Sequence, residues 1–317
     1  MSSIDPSRDT FDREAGPQPE IILAEVVPEQ PARARPRRRK FWLPLGLFVA
    51  TCLSTWYVGG LRVGILAAVN SGDPGFLFEG MLEGLKYAVP LMIILVCHEA
   101  GHFIQARRYG VRASLPFFIP MPFPPLGTMG AVIAMEARIG DRRSLFDIGI
   151  TGPLAGLVPT LAFCTIGMHL SEYNPGRDAF GDPLLFEWIA RCVLGPRPAG
   201  EVICAHPMAF AGWVGLLLTG LNLLPVGQLD GGHVLYALLR TRAHQVASLL
   251  LLAAAAAIVY FGYYVWMLML MLLMFMGPNH PPTANDNVRL GPIRTTLGWL
   301  TLAFILVGFT PTPFLFE

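Results

Sequence analysis

A chain of 317 residues that is 53% hydrophobic and only 14% charged departs from ordinary soluble domains, where about a quarter of residues are charged. It has too few polar residues to cover a soluble surface, so a polytopic membrane protein is expected. A formal net charge of +1 supplies no strongly basic surface, and no nucleic-acid partner is expected.

Residues 1–40 are polar and end in "RARPRRRK". A basic run this late and this long does not begin a signal peptide. The segment reads as a disordered tail, with 41–317 as the membrane-embedded domain. Spans of about 20 apolar residues are predicted at 41–59, 82–106, 147–169 and 207–225, followed by a long run at 245–276 and a last span at 295–312. "YFGYY" inside the long run predicts a turn that divides it in two, giving about six to seven transmembrane helices. With the tail cytoplasmic, the loops 107–146, 226–244 and 277–294 carry ten Lys and Arg, against five on the other side (Arg62, Lys86, Arg177, Arg191 and Arg197). This asymmetry follows the positive-inside rule. It also favours dividing 245–276, because a single span there would put Arg289 and Arg294 outside. The expected class is an all-α polytopic membrane protein, placed in a bacterial inner membrane with its N-terminus cytoplasmic.

One stretch does not fit helices. Prolines crowd 116–125 and break helical structure, and "GTMGAVIAMEARI" then reads as a small re-entrant β-hairpin. Non-helical backbone at membrane depth needs protein or a wet cavity beside it, so a cavity is expected there. Of five cysteines, Cys52, Cys97 and Cys164 lie in apolar runs. Cys192 and Cys204 flank a short polar loop and suit a disulfide if it faces an oxidising compartment. No CxxC zinc framework is present.

The chemistry concentrates in "AVPLMIILVCHEAGHFIQA", where His98, Glu99 and His102 interrupt an apolar span. Ionisable groups inside a membrane segment cost a few kcal/mol and point to function. Histidines four apart share one helix face and reach one metal, and the glutamate beside them is placed to take a proton from water. Two protein nitrogens, one further ligand and an open position make a zinc-hydrolase arrangement. Arg108 stands six residues after His102, where a metzincin needs histidine. Glu136, in the expected hairpin, and Asp230, in "GLNLLPVGQLDGGHVLYALLR", are the candidates for the third ligand. Asp230 is the stronger: its segment and "HEAGH" end at a similar depth near the cytoplasm, and Gly231 and Gly232 permit close backbone approach.

"HEAGH", "GTMGAVI", "FDIGITGPLAG" and "NLLPVGQLDGGH", in that order, resemble the site-2 protease family of intramembrane zinc metalloproteases. The resemblance covers 82–243, with a further echo in "GPNHPPTAND". It implies one zinc per chain held by His98, His102 and Asp230, with Glu99 as general base and a transmembrane protein in the lipid bilayer as substrate. Asn222, Gly127 and Gly130 are candidate substrate-binding residues. For Asn222 a helix-terminal cap or an interhelical hydrogen bond is an equal alternative, and the hairpin is read either as a docking edge for substrate or as a plug for the cavity. The loop 171–205 is too short for the PDZ domain of many members, and no CBS-like extension follows the last helix. His233 reads as a packing residue near the site and His280 as part of a surface turn. Two other classes compete: a non-catalytic membrane protein that binds or escorts substrates, and a transporter. Intact His98, Glu99, His102 and Asp230 weigh against the first, and the lack of inverted repeats weighs against the second.

Overall fold

The computed structural model describes residues 41–135 and 140–315. The basic tail and Glu136 lie outside the described residues. The chain is mostly helical. Among the described residues, four helical stretches are long and apolar enough to cross a membrane, at Trp42–Ser71, Gly75–Arg108, Arg142–His169 and Arg242–Phe261. Helices Pro207–Asn222, Tyr264–Met276 and Pro292–Gly308 are apolar but shorter.

The first stretch consists of α1 (Trp42–Trp56), a π-helical turn at Tyr57–Leu61, and α2 (Arg62–Ser71). Gly72 ends α2 in the left-handed conformation, and the chain returns as α3 (Gly75–Arg108). Two GxxxG pairs bring these helices together. A Cβ on Gly60 would lie 2.4 Å from the Gly84 amide nitrogen, and one on Gly80 would lie 2.5 Å from Gly64 Cα. Between transmembrane helices, small residues of this kind let backbones pack by van der Waals contact.

After α3 the chain runs back along the same helices as an antiparallel hairpin, β1 (Phe117–Pro120) and β2 (Thr128–Val132), with Phe117 opposite Val132 and Phe118 opposite Ala131. The expected hairpin thus has the proline-rich segment as its first strand and turn, not as a lead-in loop. Its tip reaches deep: Tyr87 donates to Leu126 O, and Ser54 donates to Gly127 O. Tyr87 lies 21 residues before the end of α3, roughly 30 Å at helical rise. The hairpin is therefore re-entrant, and its backbone groups are met by α1 and α3, as non-helical backbone in a membrane requires.

Helix α4 (Arg142–His169) starts with a capping box, in which Asp141 accepts from the Ser144 amide at 2.8 Å; this satisfies N–H groups that the first turn leaves unpaired. The loop after α4 contains structure that composition does not announce: β3 (Glu172–Pro175) pairs with β4 (Glu201–Cys204) around α5 (Leu184–Leu194). Helix α5 buries Phe186, Ile189 and Ala190, an i, i+3, i+4 stripe. Cys192 lies off that stripe and is exposed, as is Cys204; both are free thiols, and the expected bridge is not formed.

Helix α6 (Pro207–Asn222), a tight turn, and α7 (Asp230–Leu239) follow. Helix α8 (Arg242–Phe261) ends at Gly262 in the left-handed conformation, and α9 (Met267–Met276) returns beside it, so the run 245–276 is divided as expected. Ala247 and Leu273 pack in one cluster with Val226, which brings the end of α9 back to the start of α8. Helices α10 (Pro292–Ala303) and α11 (Ile305–Gly308) cross to the other face. There the Leu315 amide donates to Ala179 O, and Trp266 donates to Pro311 O.

Candidate metal centre

His98, Glu99 and His102 lie on α3, in the half that packs on α4. Fractional exposures of 6%, 4% and 6% leave these ionisable groups almost fully withdrawn from surroundings. Glycines on α4 make room for them. A Cβ on Gly152 would fall 2.0 Å from His102 Nε2, and one on Gly156 would fall 3.0 Å from His98 Cβ. His102 Nδ1 donates to Ile148 O at 2.8 Å. That bond fixes the tautomer and leaves the Nε2 lone pair facing the centre, an orienting contact common to metal-binding histidines.

Asp230 arrives from the other side, at the first residue of α7. The turn 223–229 is held by short-range backbone bonds, including Val226 N to Leu224 O and Leu229 N to Val226 O. Helix α7 begins against those carbonyls: a Cβ on Gly231 would lie 1.9 Å from Leu223 O and one on Gly232 2.3 Å from Gly227 O. The two glycines thus place Asp230 by permitting close backbone approach. An acidic side chain in the first helical turn is also favoured by the helix dipole.

Three donor atoms converge. His98 Nε2 lies 3.1 Å from Asp230 Oδ2, His102 Nε2 lies 3.2 Å from Asp230 Oδ1, and the two imidazole Nε2 atoms are 3.2 Å apart. Ligand atoms bound tetrahedrally to zinc at 2.0–2.1 Å are separated by about 3.3 Å, so nitrogen, nitrogen and carboxylate oxygen stand here at nearly the spacing that a zinc ion requires. The donor set is also of the right chemistry for a site with three protein ligands and one open position.

A cavity of about 120 Å³ adjoins the three donors. Glu99, Asn222, Gln228, Leu229 and His233 line it, with Ala131, Val132, Ile133 and Met135 from the hairpin side. Asn222, the last residue of α6, brings its Nδ2 to 3.3 Å from His98 Nε2. Gly127 and Gly130 are not part of this wall. Gly127 packs under α1 beside Ser54 and Thr55, with φ of +79°, and the hairpin reaches the cavity through Ala131–Ile133 instead. His280 is not in a surface turn: it is 6% exposed and pairs with His233 at 2.6 Å. The only sequence signal for this was the "GPNHPPTAND" echo.

Comparison with known proteins follows the same lines. The Peptidase family M50 profile matches residues 86–270. The probable zinc metalloprotease EGY1, chloroplastic, of Oryza sativa subsp. japonica is 37% identical over 172 residues, covering 51% of this chain and 29% of the relative. The Arabidopsis thaliana protein of the same name is 35% identical, over 52% of this chain and 31% of the relative. The Arabidopsis probable zinc metalloprotease EGY2, chloroplastic, is 28% identical over 70% of this chain and 40% of the relative. The chain therefore spans less than half the length of these relatives. No solved structure matches it. With more than half of its residues inside the profile and its ordered motifs gathered at one buried centre, this chain belongs to peptidase family M50, the site-2 protease family.

Proposed function

We propose that this protein is an intramembrane zinc metallopeptidase that hydrolyses peptide bonds within or near transmembrane segments of other membrane proteins. The convergence of His98, His102 and Asp230 beside Glu99, inside apolar helices, is the observation that carries this reading. Zinc held by those three side chains supplies the Lewis acidity that polarises a scissile carbonyl. Glu99 is one residue on from His98 and so turned about 100° around α3. It flanks the three donors and lines the cavity, where it takes a proton from the attacking water and passes it to the leaving amine. A helical substrate must unwind before its carbonyls are accessible, since each is engaged in an i→i−4 bond. Among the described residues, strand β2 pairs with β1 alone, and its cavity side offers an edge for an extended substrate by strand addition.

The finer topology belongs to the same proposal. Seven passes, of which Pro207–Asn222, Tyr264–Met276 and Pro292–Gly308 are the short ones, with the N-terminus cytoplasmic, place 108–142, 223–243 and 277–294 on one face. The return of α9 to the start of α8 supports this count. The relatives are named chloroplastic; the apolar helices of this chain support a membrane setting, and the bacterial inner membrane is the reading proposed for it.

Glu99→Gln tests the chemistry. The purified variant is expected to keep about one zinc per chain and its fold, while cleavage falls by about 10²-fold or more and uncleaved substrate stays bound. Asp230→Ala is expected to lose zinc. Near-normal turnover in Glu99→Gln would assign the base elsewhere, and full zinc in Asp230→Ala would overturn the ligand set. An escort protein without catalysis would bind the same segments and cleave none.

A further inference from the structure

The hydrolytic chemistry leaves some of the polar lining of the cavity unused. His233, on the first turns of α7, lines it, and its Nδ1 is 2.6 Å from Nε2 of His280. His280 Nδ1 is in turn 2.6 Å from the Pro281 carbonyl. A carbonyl only accepts, so the His280 proton sits on Nδ1. Burial holds the His280 imidazole below its ordinary pKa, so that ring is neutral and its Nε2 is a bare acceptor. His233 must then donate from Nδ1, and its own Nε2, on the far side of the ring, is left unprotonated. The pair is held in place from several sides. Tyr236 stacks on His280 with centroids 4.6 Å apart and donates to Asp286, and His244 reaches the His280 carbonyl at 3.1 Å.

An extended segment lying between β2 and α7 needs partners on both edges. Strand β2 serves one edge, while the other faces α7 in surroundings with little water, where an unpaired backbone N–H is costly. Resting on the peptidase reading above, the geometry points to His233 as a substrate-positioning residue, its Nε2 accepting a backbone N–H from the outward edge of an extended peptide, with His280 as the positioning residue that locks the acceptor tautomer. The site therefore selects for an unwound segment with a free amide N–H opposite His233. It disfavours proline there.

Two measurements test this on the full-length protein. Imidazole ¹⁵N NMR of the histidine-labelled chain reads the tautomers without any cleavage; the Nδ1–H form is expected for both His233 and His280, and an Nε2–H form of His233 would overturn the proposal. The second is cleavage of dye-labelled casein by zinc-loaded protein carrying His280→Gln, His280→Asn or His280→Ala. Gln sets its amide oxygen near the Nε2 position and keeps the acceptor, whereas Asn reaches only the Nδ1 position. His280→Gln is expected to retain the wild-type KM. His280→Asn and His280→Ala are expected to raise KM by about three- to tenfold, the worth of one hydrogen bond, with kcat little changed and one zinc per chain. A KM in His280→Gln as high as in His280→Ala, with zinc and fold intact, would overturn the lock. A wild type that cuts neither casein nor a dye-labelled transmembrane peptide would overturn the peptidase reading, and the NMR result then decides the tautomer on its own.

Discussion

At the scale of single residues, the metal centre depends as much on what is missing as on what is present. Gly152 has no side chain, and the space where its Cβ would stand is 2.0 Å from His102 Nε2. One added methyl group would force the ring away from the point where His98 and Asp230 meet it. Gly152→Ala is expected to lower zinc affinity by about 10–100-fold, the usual effect of disturbing a ligand's supporting contact, read as zinc per chain after dialysis against a graded chelator. Gly46→Ala, where nothing lies within 4 Å, serves as the control. Unchanged zinc binding in Gly152→Ala would mean that His102 can be displaced without loss. The spacing of "HEAGH" made His98 and His102 legible as a pair, because four residues on a helix fix a shared face. Gly152 was only part of the motif string "FDIGITGPLAG": its role depends on how α3 crosses α4, which no local spacing encodes. The burial of His280 is hidden for a similar reason, since a histidine in "PNHPP" looks like a turn until α7 is packed against it.

Among elements, the re-entrant hairpin and the first helical pair depend on each other. Strand β1 packs its Phe118 against Phe48 of α1, and the hairpin tip rests on Ser54 and Thr55. Helix α1 is held in turn through the π turn and α2, where Gly60 and Gly64 meet Gly84 and Gly80. Gly80→Leu is expected to separate α2 from α3 and to destabilise the protein by about 1–3 kcal/mol, the ordinary cost of overpacking, measured by denaturant unfolding in detergent. Because α1 carries the hairpin, protease nicking between residues 110 and 130 should speed up in the same variant. Unfolding at the wild-type midpoint would mean that this crossing contributes little. The two GxxxG pairs stand plainly in the sequence, yet only their apposition shows that they face each other. The hairpin was legible as non-helical from its prolines. Its strands were not, since β1 is the proline-flanked "FFIP" and its pairing depends on a turn that α1 and α3 hold.

For the whole molecule, loops and helix ends meet at two opposite faces. Gly227 and Gly277 meet on one, where a Cβ on Gly227 would lie 2.7 Å from Gly277 O, and Arg294 pairs with Asp147 at 2.8 Å. On the other, the segment after α11 joins the sheet region before α5 through Leu315 and Ala179. Reporter fusions truncated at Lys40, Leu185 and Asn285 are expected to read inside, outside and inside. An inside signal at Leu185 would overturn the orientation, and an outside signal at Asn285 would mean that α8 and α9 do not both cross.

The sequence by itself determined the membrane setting, the division of the long apolar run, the paired histidines with their neighbouring glutamate, and the family. Each rests on local information: composition, stretches of about 20 apolar residues, a four-residue helical spacing, or contiguous motifs. Only the tertiary structure decided that Asp230 stands at 3.1–3.2 Å from both imidazoles, that Ala131–Ile133 rather than Gly127 and Gly130 face the cavity, that Cys192 and Cys204 are free thiols, and that His280 contacts His233. These depend on contacts between segments as many as 132 residues apart in the chain. Such contacts are set by which helix faces can approach closely, and that depends on glycines whose effect appears only when two helices are packed together.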